Sequence, residues 1–200
     1  MIMNLDSLLN KREWEAADVK LPLYDVPEMI DKTKASPIWV HFGAGNIFRG
    51  FVAALQQKLL DEGHAEKGII AAETFDYDII DKIYAPYDNL TMNVILNSDA
   101  TTSFEIIASI AEALKADPDN MTSMDRLTEI FSDPGLQMVS FTITEKGYSL
   151  IGPDGLPLPV VNADIEKGPA HARHAMSIVA ALLNKRYQAG KYPLAVVSMD

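Results

Sequence analysis

From residue 38 onward, short and mostly apolar runs alternate with longer stretches whose apolar residues recur at helical spacing. Residues 38–42 (IWVHF), between Pro37 and Gly43, read as a buried strand. The stretch IFRGFVAALQQKLLDEG then places Phe51, Leu55 and Leu59 on one face of a helix, and Gly63 ends it. GIIAAET reads as a second strand and FDYDIIDKIY as a short helix or turn. LTMNVIL and TSFEIIASI look like two more strands, a hairpin across residues 97–101. Helical stretches are expected at 111–115 and 124–131, and a strand at 136–144 (LQMVSFTIT). After a turn-rich excursion, IGPDGLPLPV, comes a strong helix, HARHAMSIVAALLNKRYQAG, ended by Gly190, and then a last strand, PLAVVSMD. Residues 1–36 read as an N-terminal extension. There Asp6 caps a helix over 7–17, Pro22 and Pro27 break the path, and 25–34 turns once more before Ser36-Pro37. Strands alternating with helices predict an α/β domain over 37–200, Rossmann-like and doubly wound. Its sheet should be mostly parallel, with helices on both faces.

The segment 43–50 (GAGNIFRG) joins the first strand of that domain to its first long helix, where a dinucleotide fingerprint has meaning. Gly43 permits a tight turn, and Gly45 lets a pyrophosphate approach the backbone of Ala44, Asn46 and Ile47. Free amides at the helix start, with the helix dipole behind them, would hold the anion. Asn46 is placed to cap the helix through the amide of Arg49, and Arg49 either touches phosphate or lies in solvent. Strict G-x-G-x-x-G puts glycine where Phe48 stands, so this ring must pack where close helix–strand contact is usual. Without a ligand, the pair would be an ordinary strand–turn–helix connection. An acid at the end of the second strand would take the adenosine ribose and favour NAD over NADP. Glu73 is the first choice and Asp76 the next, although a surface acid capping the following turn is the competing reading. Asp61 and Glu62 suit the usual count better but fall at a helix end, where solvent claims them.

Charge and composition narrow the classes. Seventeen Lys and Arg against 28 Asp and Glu give a net charge of −11, which disfavours general nucleic-acid binding. With 48% hydrophobic and 22% charged residues the chain is an ordinary globular one. No apolar run approaches a membrane span, and the N-terminus has no signal-peptide core, so a cytoplasmic protein is expected. The absence of cysteine removes disulfides, thiolate metal sites and a Cys nucleophile.

Three motifs in fixed order, HFGAGNIFRGF, Thr144-Glu145-Lys146-Gly147-Tyr148 and the terminal VSMD, resemble the mannitol dehydrogenase family. These polyol-specific long-chain dehydrogenases include mannitol dehydrogenases and the reductases of fructuronate and tagaturonate. The resemblance covers residues 37–200. It implies nicotinamide-dependent interconversion of a secondary alcohol and a ketone on an open-chain polyol or sugar acid, with NAD as cofactor. D-mannonate/D-fructuronate is preferred to mannitol/fructose. It also implies a second, mostly helical domain bearing the catalytic lysine with its asparagine and histidine. No segment here matches that motif, so the chain is expected to be the cofactor-binding part of a longer enzyme, inactive alone. Where the family usually reads Ser-Cys-Asp-Asn, this chain reads Ser198-Met199-Asp200. The different-class alternative is a non-catalytic nucleotide-sensing or protein-interaction domain.

Glu145 and Lys146 follow a strand, and strand carboxyl ends face the crevice of a doubly wound sheet, so both are candidate cleft residues beside Asp200. A loop salt bridge would explain them otherwise. His171 and His174 lie three apart on the long helix, but no carboxylate joins them at ligand spacing, and a solvated helix start is favoured over a metal site. His41 reads as a core histidine, and Ser198 has no His-Asp companions for a hydrolase triad.

Overall fold

The computed structural model describes residues 2–199. Two short helices, α1 (Leu5–Leu8) and α2 (Lys11–Ala16), lead to strand β1 (Val19–Lys20) and helix α3 (Val26–Ala35). Strand β2 (Trp39–Phe42) runs into a π-helical turn, Phe48–Val52, continuous with α4 (Ala53–Asp61). Then come β3 (Ile69–Glu73), a π turn at Ile80–Tyr84, a 3-10 turn at Ala85–Tyr87, and strands β4 (Thr91–Leu96), β5 (Thr102–Ile107) and β6 (Ile110–Lys115). Helix α5 (Met121–Ser132), strand β7 (Met138–Phe141), α6 (Glu145–Tyr148), α7 (Pro159–Lys167), a 3-10 turn at Pro169–His171, α8 (Ala175–Gly190) and β8 (Ala195–Ser198) complete the chain.

Five strands in the order β6-β3-β2-β7-β8, all parallel, form the main sheet. Both faces are covered, as a parallel sheet requires. Alternation along β2 sends Val40 and Phe42 to one face, where they meet Leu127, Ile130 and Phe131 of α5 and Ile178, Val179 and Leu182 of α8. On the other face Phe48, Val52, Ala53, Ile80 and Tyr84 cover Ile69 and Ala71. The chain leaves β2 toward β3 on one side and later fills β7 and β8 on the other. The point where strand order reverses therefore lies between the carboxyl ends of β2 and β7. The Rossmann-like α/β expectation holds.

Several local expectations do not. Residues 111–115 are not helical but belong to β6, which pairs in parallel with β3 from Ile110 to Lys115. AEALK favours helix locally, and pairing in a buried sheet overrides that propensity. The helix expected over 7–17 is split into α1 and α2, and Asn4 rather than Asp6 is its cap, accepting from the Ser7 amide at 2.8 Å. The described residues of the N-terminal extension, 2–36, pack against the elements that follow. β1 pairs with β5 in a second sheet, β1-β5-β4, while Trp14, Val26 and Met29 are buried in a core shared with Leu60 and Ile106. Helix α7 was not anticipated, although Pro159 at its first position is a usual start signal. His171 and His174 do not share a helix: His171 ends the 3-10 turn and His174 is the N-cap of α8. Among the described residues no helix is long and apolar enough to cross a membrane.

Candidate anion site at the strand-order reversal

Gly43 closes β2 with φ +105°, a conformation that favours glycine. A Cβ on Gly43 would lie 2.2 Å from the Thr142 carbonyl oxygen, so the end of β7 presses directly on the turn. At Gly45 the opposite holds, since a Cβ there would meet nothing within 4 Å. The first amide after the turn to find a helical acceptor is that of Arg49, on Gly45 O at 3.1 Å. The amides of Asn46, Ile47 and Phe48 stand at the open end of the helix, beside the space over Gly45. Asn46 does not cap the Arg49 amide as expected. Its carboxamide oxygen instead accepts a hydrogen bond from the Arg49 guanidinium. That guanidinium lies 5.9 Å from the Tyr84 ring centroid, and its Nε is buried with no hydrogen-bond partner among the described residues. Open space, free helix-start amides and a half-buried cation suit an anionic group such as a pyrophosphate.

Ala44, wholly buried, is held at both of its backbone groups. Its amide donates to Glu73 Oε2 at 2.9 Å, and its carbonyl accepts from the Tyr84 hydroxyl at 2.9 Å. Burial pushes the Tyr84 phenol well above its usual range, which keeps the proton it donates. The other Glu73 oxygen, Oε1, accepts from the amides of Thr74 and Phe75 at 2.9 Å each and of Asp76 at 3.4 Å. Glu73 is therefore a buried carboxylate occupied by backbone amides, while Asp76 lies exposed in the same turn. Tyr84 has no sequence signal beyond being the last apolar position of DIIDKIY, 40 residues from the peptide it holds.

Phe48 occupies the fingerprint's third glycine position by stacking on His41, with centroids 4.2 Å apart and planes 8° from parallel. The wide π turn gives the ring this room where a glycine would let an α-turn sit closer. His41 is a core histidine, as expected. Its Nδ1 lies 2.7 Å from Ser140 Oγ and its Nε2 2.8 Å from Thr142 Oγ1. The Trp39 indole N–H donates to the same Ser140 Oγ at 2.7 Å. If the serine proton goes to Nδ1, then Nε2–H donates to Thr142, and every group in the row is satisfied.

Glu145 and Lys146 open α6 directly after β7, next to the glycine turn through the pairing of Phe42 with Phe141. Both side chains are exposed, and neither forms an ion pair or side-chain hydrogen bond among the described residues, so the loop salt bridge is not seen. Asp200 lies outside the described residues. His174 is buried rather than solvated. Its Nδ1 accepts from the Met176 amide at 3.2 Å, and no group of metal-ligating side chains occurs among the described residues.

Comparison with known proteins agrees with this architecture. A family model for the mannitol dehydrogenase Rossmann domain matches residues 37–200. A D-mannonate oxidoreductase of Thermotoga maritima is 46% identical over 200 residues, all of this chain and 37% of that protein. A mannitol 2-dehydrogenase of Cereibacter sphaeroides is 31% identical over 175 residues, 85% of this chain and 35% of that protein. Among solved structures, the mannitol 2-dehydrogenase of Pseudomonas fluorescens, in ternary complex with NAD and D-mannitol, superposes with a TM-score of 0.80 at 25% identity. That match covers 100% of this chain and 39% of the other. The chain thus spans little more than a third of the length of the relatives it matches. It belongs to the mannitol dehydrogenase family, whose Rossmann domain it carries over residues 37–200.

Proposed function

We propose that this chain is the cofactor-binding part of an NAD-dependent oxidoreductase interconverting a secondary alcohol and a ketone on an open-chain sugar acid or polyol. D-mannonate/D-fructuronate is the preferred pair, supported by 46% identity over the whole chain to a D-mannonate oxidoreductase. Mannitol/fructose is the second choice. Bound NAD would supply the hydride acceptor or donor. The residues of this chain hold and orient it. Gly43, Ala44 and Gly45 shape the turn, the amides at Asn46, Ile47 and Phe48 meet the pyrophosphate, and Arg49 adds positive charge. The exposed Asp76 carboxylate, in the turn just past the end of β3, disfavours a 2′-phosphate and so NADP. Glu145, Lys146 and Asp200 would line the substrate side of the cleft. The acid–base groups of the reaction would come from a second domain of the whole enzyme, a partner to this one. The reading is carried by one observation, the open space over Gly45 at the strand-order reversal.

Gly45→Val tests it. A branched side chain there fills the space required by the anion, and its Cβ meets nothing within 4 Å, so stability should change by less than about 1 kcal/mol. NADH affinity, followed by fluorescence titration, should fall by at least about tenfold, the worth of a lost charge-assisted contact. A folded variant that binds NADH like the wild type would reduce the glycine pair to a turn. The D-mannonate preference is checked in the enzyme that contains this chain, by comparing kcat/KM for D-fructuronate and fructose.

A further inference from the structure

We infer that Glu73 and Tyr84 are positioning residues that hold the two peptide planes meeting at Ala44 so that the amides following them face the bound anion, and that Glu73 does not read the ribose. The inference rests on the dinucleotide reading of the turn. Its geometry is reciprocal: Glu73 Oε2 takes the Ala44 amide at 2.9 Å, and the Tyr84 hydroxyl is donated to the Ala44 carbonyl at 2.9 Å. The Ala44 N–H belongs to the Gly43–Ala44 peptide plane and its C=O to the Ala44–Gly45 plane, so the two bonds fix both planes that meet at Ala44, and Gly45 is the next residue. Without these two bonds, the glycines on either side would let these planes turn and scatter the amides that follow. Preorganised donors bind an anion without the cost of ordering them.

The same contacts occupy the carboxylate. Four backbone amides converge on its two oxygens, and the residue is only 8% exposed, which turns it away from a hydroxyl arriving from solvent. The amide of Ala44 is equally taken, so the anion-facing amides are those that follow the turn, at Asn46, Ile47 and Phe48. Tyr84 has a second link to the site, because its ring lies under the Arg49 guanidinium.

Glu73→Gln makes a selective test. The glutamine oxygen can keep the three amides at the Oε1 position, while its NH2 group meets the Ala44 N–H, donor against donor. Tyr84→Phe removes only the hydroxyl, leaves the ring beneath Arg49, and carries the test alone if Glu73→Gln does not fold. NADH and NADPH are titrated into wild type, both variants and Gly45→Val, at a temperature where circular dichroism shows each to be native. Each positioning variant should weaken both nucleotides about 3–10-fold, the loss expected for one hydrogen bond, with the NADH/NADPH ratio kept within about twofold. A ratio that moves more than about fivefold toward NADPH in Glu73→Gln would make Glu73 the ribose reader and overturn the inference. A lower melting temperature with unchanged affinities would overturn it too, leaving only structural support. If wild type binds neither nucleotide, or Gly45→Val binds undiminished, the dinucleotide reading itself fails and takes this inference with it.

Discussion

Burial holds the His41 imidazole neutral, its pKa pushed down to about 3 from the ordinary 6.5. Among the described residues its side-chain partners are uncharged: Ser140, Thr142 and the Phe48 ring. The unfolded chain therefore binds a proton near pH 6.5 that the folded one refuses until about pH 3. The neutral ring contributes its full stability above pH 6.5, and that contribution drains away as the pH falls from 6.5 toward 3. The slope in that window approaches about 1.4 kcal/mol per pH unit. Urea midpoints of wild type and His41→Gln, measured from pH 7 to 4, should converge as the pH falls, because the variant lacks this titration. Parallel curves would mean that the histidine is not the group responsible. At this scale the sequence exposes some roles and hides others. Gly43 and Gly45 are legible because a strand precedes them and a helix follows. Glu73 is legible as an acid at a strand end, but its occupation by four amides is a matter of three-dimensional backbone path. Tyr84 is not legible at all, since its partner is 40 residues away.

Helix α4 and its π turn bury a face different from the one that periodicity suggests. Phe51, Leu55 and Leu59 stand exposed, while Phe48, Val52, Gln56, Gln57 and Leu60 turn inward. The reason is chemical. Gln57 donates to the Ile106 carbonyl and accepts from the Ala108 amide, each at 2.7 Å, and Gln56 donates to the Lys67 carbonyl at 2.6 Å. These amides satisfy backbone groups that a leucine would leave unpaired in a buried place. A hydropathy count ranks glutamine as solvent-facing and so selects the wrong stripe. The same limit explains β6, whose Ala and Glu residues favour helix until a neighbouring strand claims them. Where apolar and polar residues follow simple burial, as in β2, β3, β7 and α8, the elements were readable. The two phenylalanines, three positions apart, separate the two faces experimentally. Phe48→Ala should lower stability by about 3–5 kcal/mol through loss of a wholly buried ring, whereas Phe51→Ser should stay within about 0.5 kcal/mol. Equal losses in urea denaturation would contradict this helix orientation.

Across the whole molecule, the groups that close the fold and those offered to a ligand sit at opposite ends of the sheet. The anion turn and α6 leave the carboxyl ends of β2 and β7. Near the amino ends of β7 and β8 lies Arg186 of α8, 2% exposed and with no carboxylate partner among the described residues. Its guanidinium donates instead to five carbonyls, those of Phe131, Asp133, Leu136, Tyr192 and Pro193, at 2.7–3.1 Å. Phe131 lies in the last turn of α5, where exposed carbonyls and the helix dipole both favour a cation. Leu136 and Pro193 lie just before β7 and β8, so one side chain ties a helix end to the entry of two strands. Such a planar fork cannot be reproduced by lysine, whose ammonium offers three donors from a single point. Arg186→Met should leave these carbonyls without their donors and lower stability by on the order of 3–5 kcal/mol, with Arg186→Lys intermediate. Because the staple is remote from the turn, the fraction that remains folded should bind NADH with wild-type affinity. Urea denaturation and NADH titration on the same samples check both halves. A loss under about 1 kcal/mol would show that water replaces the guanidinium. A weakened NADH affinity in the folded fraction would show that the two ends of the sheet are coupled.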